Sequence, residues 1–192
     1  MAQSRLTLRT SEVNVPDANA ADVRSAIPVR GWFADCSPGL RHKILGLARP
    51  KSYAAGSVVF RAGDVGADAF GIISGVVTVE RRFTHPDATL MHMLWPGEWF
   101  GPLEVIIERY RHATMTARTD AELLRIPGDE LQALLRRHPE DFVKLTNNVA
   151  HYLDVAMQCA AELLIRDAST RCAAVLLRLT GRRWASDPEL TL

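Results

Sequence analysis

A segment in the middle of the chain, residues 97–117, combines residue types that bind small anions. It reads GEWFGPLEVIIERYRHATMTA. Gly101 precedes a short apolar stretch of helical character, and Arg111 follows that stretch. Backbone N–H groups at the start of a helix attract anions, and an arginine can bind a phosphate or a carboxylate bidentately. Pro102 removes one such N–H group, so the sequence leaves open whether this segment binds an anion.

The composition is that of a globular protein with a sizeable core. The 192 residues are 47% hydrophobic and 23% charged, which predicts one domain plus a smaller appendage. The formal net charge is +1, with 23 basic against 22 acidic residues. Because phosphate binding needs a basic face, this balance argues against a nucleic-acid-binding surface spread over the chain. It leaves a local basic patch open.

The lack of a recognisable targeting signal and the cysteine usage both predict a reducing compartment. No apolar run approaches the length of a membrane span, and the N-terminus lacks the apolar core of a signal peptide. We therefore expect a cytoplasmic protein without a membrane partner. Cys36, Cys159 and Cys172 are widely spaced and form no CxxC pair. This favours reduced, mostly buried thiols over a disulfide framework or a zinc site.

The central third of the chain predicts short strands. The run SYAAGSVVFRAGDVGADAFGIISGVVTVERRF alternates β-branched or aromatic residues with turn residues. Its punctuating glycines are Gly56, Gly63, Gly66, Gly71 and Gly75. Two further strands are predicted over residues 88–95 and 113–127. Short strands separated by glycine turns are typical of an all-β sandwich or barrel.

Helices are predicted on both sides of this region. Ser37 is a candidate N-cap of a short helix with Pro38 in its first turn. A short amphipathic helix, GDELQALLRRHP, follows the last strand. A long helix is then expected from Glu140 to about Arg166, and Asp167 is the candidate N-cap of one more helix over residues 168–181.

The long helix carries a heptad-like seam of apolar and small residues. Val149, Leu153, Ala156, Ala160 and Leu163 follow one another at 4-3-4-3 spacing. The alanines in the middle of the seam permit close approach of another helix. We therefore predict a dimer interface along these residues in a parallel homodimer. Packing of the seam onto the β-domain of the same chain is the alternative.

The order of these elements carries a family resemblance. A glycine-punctuated roll, the cassette GEWFGPLEV…RYRHA, a long helix and DASTRCAAVLLRL follow one another. Over roughly residues 30–192, this order resembles the cyclic-AMP receptor (catabolite activator)/fumarate-nitrate regulator superfamily of bacterial transcription regulators, abbreviated Crp/Fnr. The resemblance implies an α+β fold, in which a double-stranded β-helix (jelly roll) of the cyclic-nucleotide-binding type is followed by a long dimerisation helix.

The resemblance also implies a division of the chain. Four parts are expected: a flexible N-terminal arm (1–27), a β-roll domain with flanking helices (28–138), a long dimerisation helix (139–166) and the start of a C-terminal DNA-binding domain (167–192). In the family a helix-turn-helix follows at about this point, and nothing in residues 1–192 has its pattern. We therefore expect that the next domain is missing. Promoter DNA bound through it, a second copy of the chain and RNA polymerase are the implied macromolecular partners, alongside a small-molecule effector.

The cassette departs from the pattern of cyclic-AMP-binding relatives. In those relatives it begins Gly-Glu, with the glutamate on the ribose, and closes Arg-Ser, with both residues on the phosphate. Gly101 and Arg111 match this pattern, whereas Pro102 replaces the glutamate and His112 replaces the serine. Each buried ligand group left without a partner costs about 1–3 kcal/mol. We therefore expect no tight binding of cyclic AMP, and the effector and any cofactor are unknown.

The long helix lacks the expected base contacts as well. Relatives place a Thr-Ser pair against the adenine, and counting back from Asp167 puts Ala156 and Met157 at those positions. The candidate ligand-binding residues are therefore Gly101, Pro102, Leu103, Arg111, His112, Ala156 and Met157. Two alternatives concern the charges: Glu104 could replace the missing carboxylate after a register shift, or Arg111 could pair with Glu104 or Glu108 and be structural.

Two other function classes remain open. A ligand-independent dimerisation module of a constitutively competent regulator is favoured by the lost polar contacts. A metal-dependent cupin-like enzyme would need clustered ligands, and His92 with Glu98 forms no such cluster in the sequence. His92 and His112 could approach one another in the roll, where some relatives bind haem or metal, but no HxH or HExxH spacing supports a site. We predict neither catalytic residues nor a metal site.

Overall fold

The fold is described by a computed structural model that covers residues 24–66, 68–82, 88–107 and 110–180. The strands are β1 (Arg49–Tyr53), β2 (Val58–Phe60), β3 (Ala69–Ser74), β4 (Val77–Arg81), β5 (Thr89–Leu94), β6 (Trp99–Phe100), β7 (Thr114–Ala117) and β8 (Ala121–Ile126). The helices are α1 (Gly31–Asp35), α2 (Pro38–Leu47), α3 (Pro102–Ile107), α4 (Gly128–Arg137), α5 (Pro139–Leu163) and α6 (Ala168–Leu179).

The strands form two antiparallel sheets that face one another. One sheet has the strand order β1-β8-β3-β6 and the other has the order β2-β7-β4-β5. Apart from β4 and β5, neighbouring strands are far apart in the sequence, as they are in a jelly roll. The α+β jelly-roll fold followed by a long helix is thus confirmed. No helix in the described part of the chain has the length and hydropathy needed to cross a membrane.

Aromatic side chains fill the space between the sheets and the space outside one of them. Phe60, Phe70 and Phe100 meet inside the roll with ring centroids 5.3–5.9 Å apart. Trp99 points to the opposite face because successive side chains of a strand alternate. It packs there with Phe33 of α1 at a centroid distance of 5.1 Å. The two aromatic groups hold the roll together and attach α1 to it.

The predicted helix caps are present. The Leu40 N–H donates to Ser37 Oγ at 3.2 Å, and the Thr170 N–H donates to Asp167 Oδ2 at 2.6 Å. Each bond satisfies a backbone donor that has no partner within its own helix. The long helix begins at Pro139, one residue before the predicted start.

Three sequence expectations need correction. The stretch predicted as a single strand over 113–127 is divided between β7 and β8 by a turn. Gly71 is not a turn residue but lies within β3, where a side chain would come within 2.7 Å of Ile27 and Trp99. Ile27, the last residue of the predicted arm, is buried in the core, whereas residues 1–23 of that arm lie outside the described part.

The cysteines are only partly as expected. All three are free thiols. Cys36 is buried and donates to the Trp32 carbonyl oxygen at 3.3 Å, and burial raises the pKa of its thiol to about 11. Cys159 is half-buried, whereas Cys172 is exposed on α6, so the expectation of mostly buried thiols is wrong for Cys172.

The long helix α5 has two different faces. Leu145, Asn148 and Val155 are buried against the roll of the same chain. On another side of α5, Leu153 and Met157 are each more than 60% exposed. One face of α5 therefore packs onto the roll of the same chain. The predicted dimer seam lies on a different face, which is exposed.

The turn between β3 and β4 gives a test of the fold. Gly75 has a φ of +84°, and a Cβ there would lie 2.4 Å from the Asp120 carbonyl oxygen. Gly63 has a φ of +87° but open space around it. Gly63→Ala should lower the free energy of unfolding by about 1–2 kcal/mol from backbone strain alone. Gly75→Ala should lower it by about 3 kcal/mol or more, because a backbone clash is added.

Urea denaturation of both variants measures this difference. Equal losses of stability in the two variants would contradict the close packing of the β3–β4 turn against Asp120.

Candidate functional site

A cavity of about 520 Å³ lies between the roll and α5. Its volume falls in the range of small-molecule sites. Strands β4, β5 and β7 form one wall, α3 with Gly101 forms the end, and α5 covers the opening. The apolar residues that line it are Val79, Met91, Leu94, Phe100, Pro102, Leu103, Ala113, Met115, Val149, Leu153, Val155, Ala156 and Cys159.

The cavity wall is mostly apolar, and its polar side chains are few. They are Arg81, His92, Glu104, His112, Asn148 and Tyr152. Tyr152 donates its hydroxyl hydrogen to the Trp99 carbonyl oxygen at 2.6 Å, and burial raises its pKa well above the ordinary value. Asn148 Nδ2 donates to the same oxygen at 3.3 Å. These two bonds fix α5 over strand β6.

The structure separates the candidate ligand residues into two groups. Gly101, Pro102, Leu103, His112 and Ala156 line the cavity. Arg111 and Met157 do not: Arg111 is buried behind the wall, and Met157 is exposed on α5. The helix α3 does begin at Pro102, a position that proline favours.

Arg111 is held by contacts with four protein groups. Its side chain is 3% exposed, and Nη1 lies 3.4 Å from Glu104 Oε2. Nη2 donates to the Asp68 carbonyl oxygen at 2.6 Å, and Nη1 donates to that of Gly101 at 3.4 Å. The guanidinium carbon also stands 4.0 Å from the centre of the Phe60 ring. The guanidinium is thus held by protein groups and is almost inaccessible from outside.

Glu104 is the negative partner that makes this burial possible. Burial lowers the pKa of Arg111, and the nearby Glu104 carboxylate opposes that shift. The second carboxylate oxygen accepts from the His112 N–H at 3.4 Å and lies 3.6 Å from His112 Nδ1. Glu104 therefore ties Arg111 and His112 together and does not stand free in the cavity. Arg111 pairs with Glu104, one of the two glutamates considered from the sequence, and the other, Glu108, lies outside the described residues.

Gly101 has a structural reason to be glycine. Its φ is +86°, and a Cβ would lie 2.5 Å from the Asp68 carbonyl oxygen and 2.9 Å from Arg111 Nη1. Only a glycine lets the backbone approach the guanidinium this closely. The two residues that match the cyclic-AMP pattern are therefore parts of one closed cluster.

A second buried ion pair connects α5 and α6 to the roll. Arg178 Nε lies 3.1 and 3.0 Å from the two carboxylate oxygens of Glu162, and both side chains are nearly inaccessible. Arg178 Nη1 also donates to the Met91 carbonyl oxygen at 3.0 Å and lies 3.5 Å from His92 Nδ1. This pair is not predictable from any motif in the sequence. Its signal was an arginine inside the apolar run AAVLLRL.

A smaller cavity of about 410 Å³ lies outside the roll beside α1. Trp32, Trp95 and Trp99 line it together with Glu98. Burial raises the pKa of Glu98 to about 7. The hydrogen bond that its carboxylate accepts from the Trp95 N–H acts in the opposite direction and lowers this pKa. Trp95 Nε1 donates to the Leu179 carbonyl oxygen at 2.9 Å, so the end of α6 closes one side.

The β-roll with its flanking elements matches a known domain family. Residues 50–138 match the family model described as the cyclic nucleotide-binding domain. This part of the chain is therefore similar to the cyclic nucleotide-binding domain family. The match covers the cavity walls formed by the strands and α3, whereas α5 and α6 lie beyond it.

Relatives of the cyclic nucleotide-binding domain here include Crp-like regulators. The chain is 26% identical over 152 residues to the CRP-like cAMP-activated global transcriptional regulator of Mycobacterium tuberculosis, covering 79% of this chain and 68% of that protein. It is 32% identical over 127 residues to the cyclic AMP receptor protein of Thermus thermophilus, covering 66% of this chain and 59% of that protein. The chain thus spans about three fifths to two thirds of these relatives.

A solved structure supports the same relationship. The chain resembles the Thermus thermophilus catabolite activator protein with a TM-score of 0.57 and 28% sequence identity. The similarity covers 69% of this chain and 61% of that one. The chain therefore carries a Crp-like cyclic nucleotide-binding regulator domain, and its similarity to the Crp/Fnr superfamily is confirmed.

The buried cluster around Arg111 gives a test by double-mutant cycle. Glu104→Gln and Arg111→Met should each lower the free energy of unfolding by about 3 kcal/mol, because each leaves a buried charge without its partner. The double variant should lose at least about 1 kcal/mol less than the sum of the two. Urea denaturation of the four proteins measures this coupling.

Glu130→Gln is the matched control, since Glu130 pairs with Arg49 at the exposed surface. It should cost under about 1 kcal/mol. A Glu104→Gln variant as stable as Glu130→Gln, or strict additivity in the cycle, would contradict the closed cluster.

Proposed function

We propose that this chain is the effector-sensing and dimerisation part of a Crp-like transcription regulator, and that its effector is not cyclic AMP. The family match and the regulator relatives support the class of protein. The contacts of Arg111 and the apolar cavity support the exclusion of cyclic AMP. Within this proposal, residues 28–138 sense, residues 139–166 dimerise and residues 167–192 lead into a DNA-binding domain. The protein acts by binding and not by catalysis.

The charges around α3 oppose a cyclic nucleotide. A phosphate in the cavity would need Arg111 to turn away from Glu104 and from two carbonyl oxygens. Glu104 would then be a buried carboxylate beside the phosphate, so two negative charges would share a site that excludes water. Breaking a buried ion pair costs about 3–5 kcal/mol even before that repulsion is counted. Pro102, in addition, offers neither a carboxylate nor an N–H group.

The position of two α5 residues carries the sensing proposal. Leu153 and Ala156 line the cavity and also belong to the exposed seam of α5. A second copy packed on this seam and a ligand in the cavity would therefore contact the same turn of the helix. A ligand that fits one arrangement of the two helices better than another shifts the dimer toward that arrangement.

A second connection leads from the cavity to α6. Met91 and His92 line the cavity, and Arg178 of α6 contacts both. Strand β5 is followed directly by Trp95, whose indole N–H donates to the Leu179 carbonyl oxygen at the end of α6. Displacement of β5 by a ligand would therefore move the helix that begins the C-terminal segment. Promoter DNA is the partner that this segment's domain would bind, and RNA polymerase is a further candidate.

Two other functions are weaker candidates. A ligand-independent dimerisation module is favoured by the closed Arg111 cluster, but it gives no reason for a cavity of this size. A cupin-like metal enzyme needs ligands gathered in the roll. Among the described residues, the group close enough to share an ion is His138, Glu140 and Asp141, which lies at the start of α5 and not in the cavity.

Neighbouring alanines of α5 test the dimer. Ala160 belongs to the seam, whereas Ala161 is turned away from it by one helical position, and both are exposed in the single chain. Ala160→Gln should raise the dimer dissociation constant by about tenfold or more, because a close helix–helix approach has no room for the longer side chain. Ala161→Gln should leave it unchanged.

Sedimentation velocity over a concentration series measures both constants. A wild-type protein that stays monomeric throughout, or equal effects of the two substitutions, would contradict dimerisation through this seam.

A thermal-shift experiment tests the effector. A ligand present at a hundredfold its dissociation constant adds about 2.7 kcal/mol of stability, which raises the melting temperature by several degrees. We expect cyclic AMP and cyclic GMP at about 1 mM to leave the melting temperature of the dimer unchanged. An increase of several degrees with cyclic AMP would overturn the exclusion of that effector.

A further inference from the structure

The polar side chains on the wall of the larger cavity fall into two groups. Four of them are buried or already bonded to protein groups: His92, Glu104, Asn148 and Tyr152. The other two, Arg81 and His112, are exposed, and the His112 side chain is 42% accessible. A ligand that enters the cavity can therefore reach polar groups at Arg81 and His112.

These two accessible polar residues lie at the same end of the cavity. In the ladder between β4 and β7, Glu80 lies opposite Thr114. Continuing this register by one residue places Arg81 level with Ala113, which directly follows His112. Adjacent strands of a sheet lie about 4.8 Å apart, so the two side chains start from neighbouring positions. They give the cavity one polar end.

The wall beside this polar end is apolar and accessible. Two residues further along the same ladder, Val79 lies opposite Met115, and both are half-buried residues that line the cavity. Leu153 and Ala156 of α5 line it from the other side and are exposed. Covering these side chains with apolar ligand surface removes that surface from water, which is favourable.

The charge at the polar end is positive. Glu104 brings a negative charge to the wall, and Arg111 neutralises it from a distance of 3.4 Å. Glu162 and Arg178 likewise neutralise one another behind the wall. Arg81 belongs to neither pair, and its guanidinium has five N–H donors, so it can bind an anionic group in addition to other contacts.

We propose that the cavity binds an amphipathic anion, whose apolar body lies along Val79 and Met115 and whose single anionic group binds Arg81. This inference rests on the proposed sensing function and names the chemical class of its effector. Because Leu153 and Ala156 belong to both the cavity wall and the seam, the apolar body would contact the helix turn on which a second copy packs. Cyclic AMP does not fit this description, since its ribose and base would bring hydrogen-bonding groups against an apolar wall.

Straight-chain carboxylates test the apolar part of the proposal. Hexanoate, octanoate and decanoate are titrated, below micelle-forming concentrations, against protein with isotopically labelled methionine methyl groups, and NMR follows those signals. Met91 and Met115 line the cavity, whereas Met93, also on β5, does not and is the internal control. We expect the first two signals to shift and that of Met93 to stay unchanged. Each added methylene should raise the affinity about fourfold, because it buries more apolar surface.

Two neighbouring arginines test the anionic part. Arg81→Gln removes the charge at the polar end, and Arg82→Gln removes that of the next residue, which is exposed and outside the cavity lining. Arg81→Gln should weaken octanoate binding about fivefold, as expected at the upper end for an exposed ion pair. It should leave the binding of octanol, which has the same chain without the charge, unchanged. Arg82→Gln should change neither affinity by more than about twofold.

Thermal melting establishes that both variants are folded. The proposal is overturned if octanoate leaves the Met91 and Met115 signals in place or if the affinity does not rise with chain length. It is also overturned if the two arginine variants weaken octanoate binding equally, or if Arg81→Gln weakens octanol as much as octanoate. If one of these results occurs while the dimer and its indifference to cyclic AMP persist, only the ligand class fails. A response to cyclic AMP would instead overturn the proposed function.

Discussion

A buried arginine must have its charge and its donors satisfied by the protein around it. Arg111 meets this requirement with the Glu104 carboxylate, with two backbone carbonyl oxygens and with the face of an aromatic ring. The position of α3 follows from it, because Glu104 lies in the first turn of that helix. Gly101 must be a glycine for the same reason, since its backbone lies against the guanidinium. The end of the cavity is built around one ion pair.

Because Arg111 and Glu104 pair with each other, the cavity differs chemically from a site that binds a cyclic nucleotide. A site that binds a cyclic nucleotide needs a free positive charge and groups for the ribose hydroxyl. Here the arginine is directed behind the wall, and the wall itself is lined by aliphatic, sulfur-containing and aromatic side chains. Of its polar side chains, Glu104, Asn148 and Tyr152 already bond to protein groups. The fold of a nucleotide-binding domain is kept, and the chemistry of its cavity favours a different ligand.

The same cavity is connected to both elements that would carry a signal. One face of α5 is fixed to the roll through Tyr152 and Asn148, and its seam residues remain open to a second copy. The other connection is the buried pair of Glu162 and Arg178, which joins α5, α6 and strand β5. Removing one partner of such a pair is costly, so α6 is expected to move together with β5.

Much of the fold could be predicted from local sequence signals. Serine and aspartate caps, short β-branched runs and turn glycines act over a few residues, and the structure contains the elements that they predict. The role of Gly71 is not a local signal, because it is set by Trp99, which is distant in the sequence and adjacent in the sheet. The division of α5 into a packed and an open face depends on where the roll lies, which heptad spacing alone does not specify.

The site was less predictable because it depends on pairings across the fold. Arg111 had two glutamates near it in the sequence, and only the path of the backbone brings Glu104 beside it. Glu162 and Arg178 lie on different helices, and neither matches a motif. His92 was noted as a histidine in the roll, but its unpaired nitrogen becomes visible only when its neighbours are known.

Arg111 stays paired with Glu104 and is not available to a nucleotide. A crystal structure of the protein grown with a saturating concentration of cyclic AMP tests it directly. We expect Arg111 within hydrogen-bonding reach of Glu104 and no nucleotide in the cavity. A bound cyclic AMP whose phosphate is held by Arg111, with Glu104 displaced, would contradict it.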